Sequence, residues 1–380
     1  MAGEPLLAAK EAAQAVLARL RPCDVALVVA YDHEVTVLGA TDEVGGVSLV
    51  AHRLAALAPG GSTNLSGGWL RGAELLTGRP AGMRRRVLLL TDGLANAGVQ
   101  DPAQLTALCR RACARGVTTT TVGFGPEYDE TLLAAMAEAG GGRTWYVERW
   151  EQARDVFCDE LVATQTVTAQ DVAVQVVPSA IARELRVLLG GTVTQAADGS
   201  WQVAIGDLPA GAARRVLIEV VAPASAVEAD AQTALLLATL RVSGLVLGDD
   251  GAVERRQVTQ PVVSTLSAQS TVEPAVTREW VLAALTDART AAAAAAERGG
   301  AAEAAAVLRA AAATARDAGG DDALVAEHAA DLERLAEAAM ASGLDASDRK
   351  YLRQQAYHGR HSHDAQARRL ARRPDGSGRG

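Results

Sequence analysis

Aromatic side chains are scarce in this chain: Phe, Trp and Tyr make up 3% of its 380 residues. Base-stacking platforms depend on such rings, and the formal net charge of −8 removes the positive field of a whole-chain nucleic-acid binder. Cysteine is equally sparse. Cys23, Cys109, Cys113 and Cys158 are too few and too scattered for a disulfide framework. Cys109 and Cys113, four apart in a helical pattern, read as small buried hydrophobes before a redox or metal pair. No run reaches the roughly 18 apolar residues that a membrane span requires. The amino terminus lacks the basic, apolar and small-residue succession of a signal peptide, so the chain as given is expected in the cytoplasm.

Enzyme fingerprints are missing as well. Gly123-Phe124-Gly125 has no third glycine at the spacing of a dinucleotide-binding loop, and no Walker-type phosphate loop occurs. Neither a Gly-x-Ser-x-Gly elbow nor a His-Glu-x-x-His zinc motif is present. His33 and His52 have no evident partner for nucleophilic chemistry and read as surface or turn residues. The chain is not expected to be an enzyme.

What is present is a large apolar fraction, 49%, enough to bury the cores of two or three domains. From Glu4 to about Arg149 helical and strand signals alternate. Val25 to Ala30 and Val87 to Leu90 are short continuous apolar runs, as in strands buried on both faces. Glu34 to Leu38 can pair with the first across a turn at Asp32-His33. Helical spacing marks Leu6 to Leu20, Val47 to Leu57, Asn64 to Leu76, Pro102 to Ala114, Asp129 to Ala139 and Glu151 to Val162, with Thr63 placed as an N-cap. Val117 to Val122 and Arg143 to Val147 add further strands. This tempo predicts an α/β domain over residues 1–163, a doubly wound and mostly parallel sheet.

After Thr164 the text changes. Strand-like runs separated by Gly, Pro, Asp and Ala predict an antiparallel β-sandwich over residues 164–270. Ala, Leu, Glu and Arg at helical spacing predict a helical segment over residues 273–342, broken at Gly299-Gly300 and Gly319-Gly320. Residues 343–380 read as a basic, partly disordered tail, with eight Lys or Arg against two Asp from Lys350 onward. His358, His361 and His363 cluster there without a fixed fold behind them, and read as a solvated group before a metal site.

Two loops carry the chemistry. Gly60-Gly61-Ser62-Thr63-Asn64 opens a helix, and Thr91-Asp92-Gly93 ends a buried strand. In open parallel sheets ligands gather outside the carboxyl ends of the strands. A threonine hydroxyl and an aspartate arriving there are hard oxygen ligands suited to Mg2+, which keeps several waters and needs few protein donors. Taken singly, Thr63 caps a helix and Asp92 holds a turn.

Taken together, GGSTNLSGG (Gly60 to Gly68), LLLTDG (Leu88 to Gly93) and the stretch from Thr121 to Val147 resemble the von Willebrand factor type A (VWA) family, in the form found in bacterial multidomain proteins. The resemblance implies a Rossmann-like domain that binds proteins. Thr63 and Asp92 would be the second and third elements of its metal-ion-dependent adhesion site (MIDAS), with Mg2+ as the ion. A partner's Asp or Glu carboxylate would complete the ion's coordination, and Ser62, Asn64 and Gly93 would flank it. Assembly of a larger complex is implied, and an AAA-type ATPase is among the implied partners.

The first element of that site, an Asp-x-Ser-x-Ser loop after the first strand, has no counterpart here. Met1-Ala2-Gly3-Glu4-Pro5-Leu6 resembles the text that follows it. The domain is therefore expected to be truncated at its amino terminus, through a mis-assigned start or as a fragment. A central strand would be absent and Mg2+ binding weak or lost in the chain as given. A degenerate, metal-independent scaffold is the alternative, and an uncharacterised hydrolase is less favoured. Asp32 and Asp42, read as lying toward the far side of the sheet, are not favoured as replacement ligands.

Overall fold

The computed structural model describes residues 1, 3–80, 83–125, 127–222, 234–248, 252–264 and 272–361. It divides into two compact units, Met1–Val167 and Thr168–Gly380. Among the described residues no helix is long and apolar enough to cross a membrane.

The first unit is α/β. Its elements are α1 (Glu4–Leu17), β1 (Leu27–Tyr31), β2 (Val35–Ala40), α2 (Gly46–Ala55), α3 (Leu65–Thr77), β3 (Arg85–Thr91), α4 (Pro102–Cys113), β4 (Val117–Phe124), α5 (Glu130–Ala139), β5 (Gly141–Val147) and α6 (Gln152–Gln165). Strands β3, β4 and β5 form a parallel sheet in that order, while β1 and β2 form a separate antiparallel hairpin. Helix α3 packs on both β1 and β3 and so spans the two sheets. All eight residues of β4, paired on both edges, are buried. Every residue of β1, paired on one edge, is only partly so. The β1–β2 hairpin and the β3–β4–β5 sheet are thus separate sheets.

Strand β4 shows how polar residues are accommodated in this core. Its β-branched run Val117-Thr118-Thr119-Thr120-Thr121-Val122 suits an extended backbone, and each buried hydroxyl must find a partner. Trp69 Nε1 donates to Thr119 Oγ1 at 3.0 Å, Thr121 donates to the Leu133 carbonyl at 3.0 Å, and Thr120 donates to Glu160 Oε2 at 3.1 Å. Glu160 is 2% exposed and also meets Arg86 at 2.8 Å, Arg143 at 2.7 Å and Trp145 Nε1 at 2.8 Å. Burial pushes its carboxyl upward, but Arg143 and Arg86 outweigh that and hold it below the usual glutamate range. Around this strand, Leu65, Trp69, Leu105, Leu133 and Met136 close the main core of the unit.

In the second unit a five-stranded antiparallel sheet has the order β12-β11-β6-β9-β8, formed by β6 (Val167–Pro178), β8 (Thr192–Gln195), β9 (Trp201–Pro209), β11 (Leu235–Leu247) and β12 (Val253–Ser264). A two-stranded sheet of β7 (Glu184–Leu189) and β10 (Leu217–Val221) shares its core through Val174, Val176, Leu185, Val203 and Ala238. Helices α7 (Pro274–Glu297), α8 (Ala301–Gly319), α9 (Ala323–Ser342) and α10 (Ala346–Arg360) follow.

Helix α10 corrects the expectation of a tail from residue 343. Asp345 and Asp348 form a reciprocal capping box at its start, and Leu352 is fully buried in the helical core beside Tyr351. The basic reading prevailed over these signals because only a few apolar side chains anchor an otherwise polar helix. Residues 362–380, with His363 and the end of the basic run, lie outside the described residues. The contact pattern also joins sandwich and helices in one unit, where the sequence suggested separate segments.

Candidate functional site

The two loops singled out in the sequence meet at the carboxyl end of β3. A side-chain carbon built on Gly93 would come 3.7 Å from Thr63 Oγ1. Asn96 Oδ1 accepts the Thr63 N–H at 2.7 Å, and the Thr63 carbonyl accepts from the N–H groups of Asn96 and Ala97 at 3.2 and 3.3 Å. Ser66 Oγ accepts from the Val99 N–H at 2.8 Å. Residues 63–66 and 96–99 are therefore stitched together, which fixes Thr63 beside the β3 turn.

Within that turn Thr91 donates to the Gly93 carbonyl at 2.9 Å. The residue leaving the strand, Asp92, has its side chain 27% exposed, and the amino group of Met1 stands 3.2 Å from Asp92 Oδ1. Tyr31, at the end of β1, donates to the Leu90 carbonyl. Burial holds its hydroxyl far above the usual tyrosine range, and the Asp92 charge adds to that.

Thr63 does not cap α3. That role falls to Asn64, whose Oδ1 accepts the Gly67 N–H at 2.9 Å and lies 3.3 Å from Ser66 Oγ. The Thr63 hydroxyl is left outside the cap, whereas the Asn64 side chain is engaged within its own helix turn. Ser62 lies on the same loop, half-buried.

Asp32 also lies nearer this face than the sequence suggested. Its backbone carbonyl accepts the Asn64 N–H at 2.7 Å, and a side-chain carbon on Gly60 would collide with its carboxylate. That carboxylate already accepts the Glu34 N–H at 2.7 Å and meets His33 at 3.0 Å. The Glu34 amide, with smaller help from His33, holds it below the usual aspartate range. Asp42 instead pairs with Arg79. Sequence reasoning missed Asn96 and Tyr31, and a lone Asn in a loop and a Tyr ending a strand carry no motif that would have found them.

A threonine hydroxyl and a carboxylate make half of a hard-oxygen site. Among the described residues no three His, Cys, Asp or Glu side chains converge as metal ligands. The donors present suit a hydrated Mg2+ that gains a further ligand from elsewhere, and they do not suit an ion held wholly by these residues. Cys109 is buried in the core, where burial pushes its thiol up to about 12, far from the chemistry of a metal-binding thiolate.

The family model for the von Willebrand factor type A domain matches residues 1–158. Among curated proteins the chain is similar to YfbK of Escherichia coli (strain K12), 31% identical over 118 residues, which cover 30% of this chain and 20% of that protein. The chain thus spans a small part of that relative's length. Among solved structures it is similar to a von Willebrand factor type A protein from Catenulispora acidiphila, with a TM-score of 0.63, 16% identity, and 87% of this chain and 84% of the other covered. It is also similar to the ArnB paralog VWA2 from Sulfolobus acidocaldarius, with a TM-score of 0.53, 14% identity, and coverage of 93% and 83%. At these identities the two structures establish a shared fold.

Proposed function

We propose that this chain, whose residues 1–158 match the family model for the von Willebrand factor type A domain, is a non-enzymatic protein-binding module. Its docking face is the junction of the 60–66 and 91–96 loops. The observation that carries this reading is the placement of the Thr63 hydroxyl beside Gly93, one residue from the partly exposed Asp92 carboxylate.

In this reading Thr63 and Asp92 hold Mg2+ once a third protein ligand arrives, and Ser62 and Gly93 border the contact. Asn64 supports the loop through its cap. A partner's Asp or Glu carboxylate occupies the remaining coordination position, a charge-assisted contact that favours acidic partners. Assembly within a larger complex follows from the resemblance, and an AAA-type ATPase is a candidate partner on that ground alone. The reading is tested by comparing the proteins retained by the wild-type chain and by Asp92→Ala, each with Mg2+ and with chelator. Partners lost in both the variant and the chelator support it; partners retained in both reject it.

One observation favours a second reading. The absence of a third converging ligand among the described residues suits a metal-independent scaffold, in which the same loops bind through shape and hydrogen bonds. Partner retention that is indifferent to chelator but lost on changing Asn96 would select that reading.

A further inference from the structure

The amino end of the parallel sheet, opposite the Thr63 and Asp92 loops, gathers arginines from three segments. Arg84 and Arg85 stand at the start of β3, Arg110 and Arg111 on the last turn of α4, and Arg115 in the turn leading into β4. Arg85 is in register with Val117 of β4, which sets the two strand starts side by side. Helix α4 buries Leu105, Cys109 and Ala112, and its Arg110 and Arg111 are exposed, as are Arg84 and Arg115. Arg85 is half-buried and fixes the group. Its Nη2 donates to the Arg115 carbonyl at 2.5 Å, and its Nη1 to the Arg79 carbonyl at 3.5 Å.

The partners of these side chains leave their charge in place. Arg84 donates to the Gln165 carbonyl at 3.2 Å, and a carbonyl, like those that hold Arg85, takes up hydrogens without neutralising a guanidinium. Among the described residues none of Arg84, Arg85, Arg110, Arg111 and Arg115 forms an ion pair. Asp24, also at this end, is engaged by Gln165 Nε2 at 2.6 Å and by the Arg21 amide at 2.8 Å. Arg79 pairs with Asp42, which extends the surface to the loop entering α2, where Glu43 and Val44 are exposed. The negative end of the α4 dipole favours cations on its last turn. It does not account for Arg84 and Arg85, which belong to another segment.

We propose that this arginine surface docks an acidic segment of a partner protein, in a contact independent of the Thr63 and Asp92 site. Guanidinium forks match carboxylates through paired hydrogen bonds, and the bonds of Arg85 hold the segments that carry them on one frame. Uniform polyanions fit the surface less well. A nucleic acid gains from aromatic rings on which its bases stack, and none of the residues gathered here is aromatic. An anionic bilayer brings negative charge against Asp42 and Glu43 as well as against the arginines. A polypeptide instead places its acids over Arg84, Arg110, Arg111 and Arg115 and sets an uncharged side chain against Val44.

Binding of fluorescein-labelled poly-L-glutamate to the full chain, followed by anisotropy in the presence of chelator, tests the proposal. Chelator removes Mg2+ from Thr63 and Asp92, so failure here leaves the proposed function untouched. The expected result is saturable binding that weakens with added salt. It falls about tenfold or more in the combined Arg84→Gln, Arg110→Gln, Arg111→Gln and Arg115→Gln variant, as four small exposed contacts add up. The control Arg255→Gln with Arg256→Gln, whose side chains already meet Asp171 and Glu254, keeps the binding; a comparable fall there overturns the proposal. No binding, or equal binding by the folded fourfold variant, also overturns it. So does tighter arginine-dependent binding of single-stranded DNA or of phosphatidylglycerol vesicles, or self-association of the chain that the variant abolishes. Should the variant unfold, phenylglyoxal modification of the unaltered chain decides: shielding of Arg110, Arg111 and Arg115 by poly-L-glutamate supports the proposal, and unaltered modification overturns it.

Discussion

Thr63 and Asn96 exchange hydrogen bonds in both directions, the Asn96 side chain accepting the Thr63 amide and the Thr63 carbonyl accepting the Asn96 amide. The pair ties the loop that opens α3 to the loop that follows β3. Asn96→Ala removes the side-chain half and is expected to destabilise the first unit by about 1 kcal/mol. Asn96→Asp keeps an acceptor and is expected to cost less. Urea unfolding followed by tryptophan fluorescence measures both, and equal stabilities for all three chains would refute the tie.

Gly68 of α3 lies so close to the Tyr31 ring that an added side-chain carbon would stand 2.4 Å from it. Gly68→Ala is therefore expected to displace Tyr31 from the Leu90 carbonyl and cost roughly 1–3 kcal/mol, despite the better helix propensity of alanine. The same denaturation experiment reads the loss. A stabilised Gly68→Ala chain would show that α3 and β1 do not approach this closely.

Glu160 bridges Arg86 and Arg143, at 2.8 and 2.7 Å. Glu160→Gln leaves two buried guanidinium groups short of charge and is expected to cost about 3–5 kcal/mol. The folded carboxyl is lowered, so its contribution is complete above the ordinary glutamate value of about 4.3. That contribution is lost as pH falls through the lowered folded value. Thermal unfolding between pH 7 and 3 checks this, the variant being expected to lack that part of the acid slope.

Leu352 is fully buried in the helical core of the second unit. Leu352→Ala is expected to cost that unit about 2–5 kcal/mol, a loss that a solvated tail would not show. Circular dichroism melts distinguish the two outcomes.

The sequence made some of this architecture legible and hid other parts for physical reasons. Continuous apolar runs such as Val87 to Leu90 announced buried strands, and β3 does end at Thr91 with Asp92 beyond it. The meeting of the loops that carry Thr63 and Asp92 was legible because two short motifs were read together, and the two loops do meet. The helix cap was misread by one residue, since Thr63 and Asn64 are both good caps and only the backbone geometry chooses Asn64. Helix α10 was hidden by its charge, because Tyr351 and Leu352 are few apolar residues among many polar ones. Asn96 and Tyr31 act through contacts between residues 33 and 59 positions apart, and no local pattern encodes these.

The most direct test of the proposed function is calorimetric titration of Mg2+ into two chains. One is the chain as given; the other is extended ahead of Met1 by an apolar strand ending in Asp-x-Ser-x-Ser. The account predicts weak binding at best in the first, where Thr63 and Asp92 supply only part of the coordination. It predicts saturable binding in the second that Asp92→Ala abolishes. Binding that survives Asp92→Ala, or an extended chain that folds and binds no Mg2+, would contradict it.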